Sequence, residues 1–168
     1  MTDATEINDD RIRARQRHED TNVFSRLPAV YSASRAQAQR LLLVCGGLSI
    51  VEWRTLWDLA EVGPMTIGDL AAIQRADHSQ LSRALPEMRR KKYVTTRRDP
   101  RDGRQTIVAL APAGRATYEM AAPIMARRRA LLREKFSEVE IQTLIELLER
   151  LDDIVRIPAE QIADESPQ

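Results

Sequence analysis

Apolar side chains recur at helical spacing along most of the chain, interrupted by two short stretches that favour strand. Val23, Phe24, Leu27, Val30 and Tyr31, then Leu41, Leu42 and Val44, bracket a polar, alanine-rich middle and predict a helix over 23–44. Pro28 fits only because it lies near the start. Gly46-Gly47 stops this helix, and Ser49 opens the next, with Glu52 completing a capping box. Ile50, Trp53, Leu56, Trp57 and Ala60 give that helix one apolar face, ended by Gly63-Pro64. Thr66 with Asp69 starts a short helix over 67–73, with Leu70 and Ala71 inward. Asp77 with Gln80 starts another, with Leu81, Leu85 and Met88 on one face. Two short helices joined by a tight turn at 74–76 make a helix-turn-helix.

Residues 92–97 and 106–110 carry Tyr93, Val94, Thr95, Thr96, Ile107 and Val108, which favour strand. Between them Asp99-Pro100 and Asp102-Gly103 are turn signals, so the pair predicts a β-hairpin with a basic tip, a wing. Pro112 suits the first turn of a helix running to about Lys135, in which Pro123 predicts a kink or break. Ser137 with Glu140 opens a last helix with Ile141, Leu144, Ile145, Leu148, Leu151 and Val155 on one stripe. Leu147 and Ile154 widen it beyond what one small domain covers, which points to a partner helix.

Composition narrows the class. The 168 residues suit one domain of about 150 residues with short tails. Hydrophobic residues at 43% beside charged ones at 30% describe a globular chain rather than a disordered one. Cys45 is alone, so neither an internal disulfide nor a cysteine zinc site is available. The longest apolar run, 41–45, is far short of the ~20 residues that span a bilayer, and residues 1–20 lack the apolar core of a signal peptide. The expected location is the cytoplasm. The net charge of +1 hides a division. Residues 75–104 hold ten basic against four acidic side chains, whereas 137–168 hold nine acidic against two basic. The first region attracts polyanions and the second repels them.

The order helix, helix, helix-turn-helix, wing, long helix, long helix, over about 23–156, resembles the MarR family of bacterial transcriptional regulators. The resemblance is carried by 49–60 (SIVEWRTLWDLA), 65–71 (MTIGDLA), the helix end Met88-Arg89-Arg90-Lys91-Lys92-Tyr93-Val94, and the wing. The family's wing pattern is Asp-x-Arg, five residues, then Leu-Thr; here Asp102-Gly103-Arg104, Gln105 to Ala109 and Leu110 fit it, with Ala111 in place of the Thr. The resemblance implies a mainly α fold with a small β-hairpin wing. The winged helix-turn-helix domain covers about 49–111, between dimerisation helices at about 23–46 and 112–157. Residues 1–22 are then a charged, mobile arm and 158–168 an acidic tail.

In such a domain the second helix of the helix-turn-helix reads base edges from its first turns, where His78, Ser79, Gln80, Ser82 and Arg83 lie. Arg83 suits a bidentate contact to guanine and Gln80 one to adenine. Gln80 also has the competing task of the cap, and Ser79 and Ser82 that of touching phosphate. Pro86, in the third turn, either kinks the helix or leaves only its first two turns in the groove. By resemblance, Arg104 enters the minor groove and Asp102 holds its guanidinium, with Arg101 the competing candidate. Lys91, Lys92, Arg97 and Arg98 are then phosphate contacts. One helix and one wing cover a half-site, so double-stranded DNA with two half-sites about 10 bp apart and a two-fold homodimer are the expected partners. The expected activity is that of a repressor on a palindromic operator.

The resemblance also implies a small aromatic or anionic effector between the dimerisation helices and the winged domain, with Tyr31, Arg35, Trp53, Arg54 and Trp57 as candidate lining. An enzyme, a cofactor and a metal are not expected: a phosphate loop and a nucleophile elbow are missing, and His18 and His78 lie 60 positions apart. Two alternatives stand beside the regulator. One is a redox sensor on the same fold using Cys45, although that residue closes its helix whereas oxidant-sensing relatives carry theirs at the start. The other is a protein-interaction module without specific DNA binding.

Overall fold

A computed structural model describes residues 4–164 and divides into two compact units, Met1–Met125 and Ala126–Gln168. The first contains α1 (Ala4–Thr21), α2 (Val23–Val44), α3 (Ile50–Glu61), β1 (Met65–Thr66), α4 (Ile67–Gln74), α5 (His78–Arg90), β2 (Val94–Arg98), β3 (Thr106–Leu110) and the start of α6 (Pro112–Lys135).

Where a charged, mobile arm is expected, the chain forms α1. Asp9 and Arg13 stand one turn apart, as do Arg15 and Glu19, which form an ion pair. Asn22 then breaks the helix with extended backbone and caps α2 by accepting the Phe24 N–H at 2.9 Å. Three of the four expected capping boxes form, at Ser49/Glu52, Thr66/Asp69 and Ser137/Glu140. Because a box needs only the N-cap and the third residue beyond it, it is legible without tertiary structure. The fourth does not form. The Asp77 carboxylate accepts from the Ser79 N–H instead, and the Gln80 N–H bonds the Asp77 backbone carbonyl at 3.0 Å.

The core of this unit joins Leu42 and Leu48 to Leu56 and Leu59 of α3, Leu70 of α4, Leu81, Leu85 and Met88 of α5, and Val108 of β3. The hairpin is antiparallel from Val94↔Leu110 to Arg98↔Thr106. A third strand, β1, pairs Met65 with Val108 and Thr66 with Ile107 on the other edge of β3. Two residues are too few to show a strand period, so this ladder is invisible to the sequence pattern. At the start of α6, Ala111 N–H bonds the Tyr93 carbonyl at 3.0 Å, and Pro112 begins the helix without a side-chain cap. Gly114 passes so close that a Cβ there would sit 2.0 Å from the Tyr93 carbonyl oxygen. The kink or break expected at Pro123 does not end α6, which runs on to Lys135. Pro123 is exposed, so the Glu119 carbonyl that loses its helical donor can bond water. α5 likewise continues through Pro86 to Arg90.

In the second unit, α7 (Glu138–Val155) leaves Leu144, Ile145, Leu147, Leu148, Ile154 and Val155 exposed. The acidic tail contains a further short helix, α8 (Ala159–Asp164), and its residues 165–168 lie outside the described part. No helix among the described residues is long and apolar enough to cross a membrane.

Candidate nucleic-acid interface

The turn between α4 and α5 sets the direction of α5, and three features hold it. Arg75 takes a left-handed conformation (φ 46°, ψ 43°) at the end of α4, reversing the chain within one residue. Gln74, almost fully buried, accepts the Arg54 guanidinium at its backbone carbonyl and donates its side-chain amide to Asp58 Oδ2 at 2.7 Å. Burial raises the Asp58 carboxyl above the ordinary carboxylate range, against the opposing pull of the Gln74 bond and Arg54. Asp77 caps α5, and its carboxyl is lowered by the Ser79 hydroxyl first and the Ser79 N–H second. With Leu81, Leu85 and Met88 inward, the α5 periodicity turns His78, Ser79, Gln80, Ser82 and Arg83 to solvent. Sequence reasoning missed Asp58 and Gln74, since a buried polar side chain in a turn has no periodic signature.

These outward residues are partly spent on one another. Arg83 donates Nε to the Ser79 carbonyl at 3.1 Å and Nη2 to the Ser79 hydroxyl at 3.2 Å. Ser82 Oγ lies 3.3 Å from His78 Nδ1. Further along, Arg90 binds Glu87 through two hydrogen bonds of 2.6 and 2.7 Å, while Arg89 stays exposed.

Lys91, expected as a phosphate contact, also meets a carboxylate within the chain. Its Nζ donates to Glu52 Oε1 at 2.7 Å and lies 5.6 Å from the centre of the Tyr93 ring. Glu52, buried in the first turn of α3, accepts the Ser49 N–H on its other oxygen. Burial is the largest single influence on Glu52 and would raise it, but Lys91 and the two Ser49 hydrogen bonds together bring it below its ordinary value. The Glu52 bond raises Lys91 in turn. This lysine ties the end of α5 to the start of α3, because a buried carboxylate needs a counter-charge.

The wing tip corrects a second expectation. Asp102 does not hold the Arg104 guanidinium; its Oδ1 accepts the Arg104 backbone N–H at 3.0 Å and its Oδ2 the Gln105 amide at 3.1 Å. It shapes the turn, as aspartates one or two residues before a bend commonly do. Arg97, Arg98, Arg101 and Arg104 are exposed, as is Lys92, and none has a carboxylate partner among the described residues.

The candidate effector residues divide. Trp53 is core, stacked on Tyr118 at 5.6 Å between ring centres and set 5.9 Å from the half-buried Trp57. Tyr31, Arg35 and Arg54 do line a cleft of about 190 Å³, with Arg75, Asp77 and Gln80 on the α5 side. Cys45 is buried with its thiol against the Leu41 carbonyl at 3.0 Å.

A turn-pinned helix beside an arginine-bearing hairpin, on three strands ordered β1-β3-β2, is a winged helix-turn-helix, and residues 46–105 match the model of the MarR family. Over this segment the chain resembles the MarR family. Solved MarR-type structures share its fold. A MarR/EmrR family transcriptional regulator from Acinetobacter sp. ADP1 is 23% identical, with a TM-score of 0.70 over 81% of this chain and 96% of that one. BpsR of Bordetella bronchiseptica, whose DNA binding is regulated by 6-hydroxynicotinic acid, is 21% identical, with a TM-score of 0.69 over 79% and 94%. A mutant E. coli MarR complexed with operator DNA is also 21% identical, with a TM-score of 0.61 over 78% and 99%. No curated protein matches by sequence.

Proposed function

We propose that this chain is a MarR-type, sequence-specific DNA-binding regulator, acting as a homodimeric repressor on a palindromic operator. The observation that carries the reading is the face made by α5 and the wing. His78, Gln80, Ser82 and Arg83 stand out from a helix whose other side is sunk in the core, and Arg97, Arg98, Arg101 and Arg104 flank it without internal counter-charges. A helix supported in this way suits the major groove, and a hairpin arginine suits a narrow minor groove. The exposed leucines and isoleucines of α7, with Phe24, Val30 and Leu43 of α2, supply apolar surface for a second copy.

The test is selection of a preferred duplex from a random pool, followed by fluorescence anisotropy against a scrambled duplex over a salt series. Preferential binding with a steep negative salt slope supports the reading; each phosphate-contacting cation adds about −0.9 to the slope of log K on log salt. Equal, weak binding to every duplex would refute it and leave the interaction module in the lead.

The cleft supports a second element, relief by an anionic ligand. Arg35, Arg54 and Arg75 give it positive potential, and Asp77 and Gln80 make it the rear wall of the recognition helix. An anion that draws Arg54 from the Gln74 carbonyl loosens the turn that aims α5. Release of bound duplex by benzoate in wild type but not in Arg54→Gln is the expected result; release in both would remove Arg54 from the mechanism.

A further inference from the structure

The first turn of α5 carries a hydrogen-bond chain that capping does not require. Asp77 Oδ1 accepts the Ser79 N–H at 2.8 Å, which completes the cap. Its other oxygen takes the Ser79 hydroxyl proton at 2.5 Å. That hydroxyl is thereby turned so that a lone pair faces Arg83, whose Nη2 it accepts at 3.2 Å, while Arg83 Nε donates to the Ser79 carbonyl at 3.1 Å. One residue thus holds one whole edge of the guanidinium. The other edge, Nη1 with the second Nη2 proton, is the fork that a bidentate acceptor needs.

An arginine on an exposed helix surface otherwise samples many rotamers and must be immobilised on docking, which weakens the bond it then makes. We propose that Ser79 is a positioning residue for Arg83 and that Asp77 aims Ser79, so that the chain presents the free edge of Arg83 to a guanine and adds to sequence preference rather than to general affinity. The inference rests on Arg83 reading a base. It moves Ser79 out of the set of base readers, since its hydroxyl proton and a lone pair are both used inside the chain.

Asp77 supplies a signature of opposite sign. Its carboxylate stands on the helix end that approaches phosphates and lowers affinity for any duplex. Asn in its place keeps a cap acceptor but puts an amide where Oδ2 takes the Ser79 proton. Asp77→Asn therefore raises affinity for scrambled duplex while narrowing the preference for the selected one.

The experiment uses the full chain and a duplex selected by the wild type. Anisotropy against a scrambled duplex is measured for Ser79→Ala, Ser79→Thr, Asp77→Asn and Arg83→Ala, and the ¹⁵N order parameter of Arg83 Nε is measured in each free protein that retains it. Ser79→Ala is expected to lose about two- to ten-fold in preference, the equivalent of immobilising one long side chain, and to lower the order parameter. Ser79→Thr, which keeps the hydroxyl, should retain both. Wild-type preference and order in Ser79→Ala would overturn the proposal. So would equal loss in the Ala and Thr variants with the order parameter unchanged, which marks a role in the helix alone. Full preference in Arg83→Ala would instead remove the base-reading role, and with it the purpose of the chain, whatever the order parameter shows.

Discussion

Replacing Lys91 separates two roles that one lysine in a basic stretch can have. The ammonium lies 2.7 Å from Glu52 Oε1, a gross attraction of about 6 kcal/mol at an effective dielectric constant of about 20. Desolvation offsets most of it, so the net quantity is the cost of leaving Glu52 alone. Breaking a fully buried pair costs about 3–5 kcal/mol. Here the Lys91 side chain is 30% exposed and that of Glu52 6%, and Glu52 keeps its bond from the Ser49 N–H, which places Lys91→Met near about 2–3 kcal/mol. In a chain of this size that lowers Tm by roughly 4–12 °C. Glu52→Gln keeps the capping acceptor and costs less, and the double variant should lose less than the sum. The pH dependence follows from the two directions. Glu52 lies below its unfolded value, so its contribution is present above the ordinary carboxylate range and is lost as pH falls through the folded value. Lys91 lies above its unfolded value, so its contribution is present below the ordinary lysine range and is lost as pH rises through the folded value. Urea denaturation at fixed protein concentration, from pH 3 to pH 11, is the assay. Wild-type stability in Lys91→Met, together with a salt slope for DNA shallower by about 0.9, would show instead that Lys91 neutralises a phosphate and would refute the structural assignment.

Gly114→Ala should destabilise by about 3 kcal/mol, because the new Cβ meets the Tyr93 carbonyl oxygen, which is backbone and cannot swing aside; a melt within a degree of wild type would contradict the close approach. Arg104→Ala should weaken binding of the selected duplex with little change in Tm, and equal affinity in anisotropy would remove this residue from the groove. Asp58→Asn should raise stability at neutral pH. The raised Asp58 carboxyl disfavours the folded state when charged, so the gain should fade as acid protonates the wild-type group in a series of urea melts. A gain that persists at low pH would assign it to packing.

Local rules carried the sequence reading a long way. N-cap residues paired with a carboxylate three positions on located the starts of α3, α4 and α7, because both partners lie in one turn. The same logic went astray at Asp77, whose carboxylate takes the Ser79 N–H and hydroxyl while the Gln80 N–H goes to the Asp77 backbone carbonyl at 3.0 Å. The charged start reads as an arm, and within it oppositely charged residues one turn apart support α1.

By itself the sequence determined α2 to α7 and the two strands of the wing, their order, the inward face of α5 and the basic character of the wing. These depend on periodicity, turn chemistry and charge within a few residues. Only the tertiary structure decided what these charged and aromatic residues touch. Lys91 meets a carboxylate 39 positions away, Gln74 joins the turn to α3, Asp102 bonds backbone rather than guanidinium, and Trp53 stacks on Tyr118. A long side chain can reach solvent, phosphate or a buried partner from the same sequence position, and which of these it meets depends on desolvation and distance, which exist only once the chain has folded.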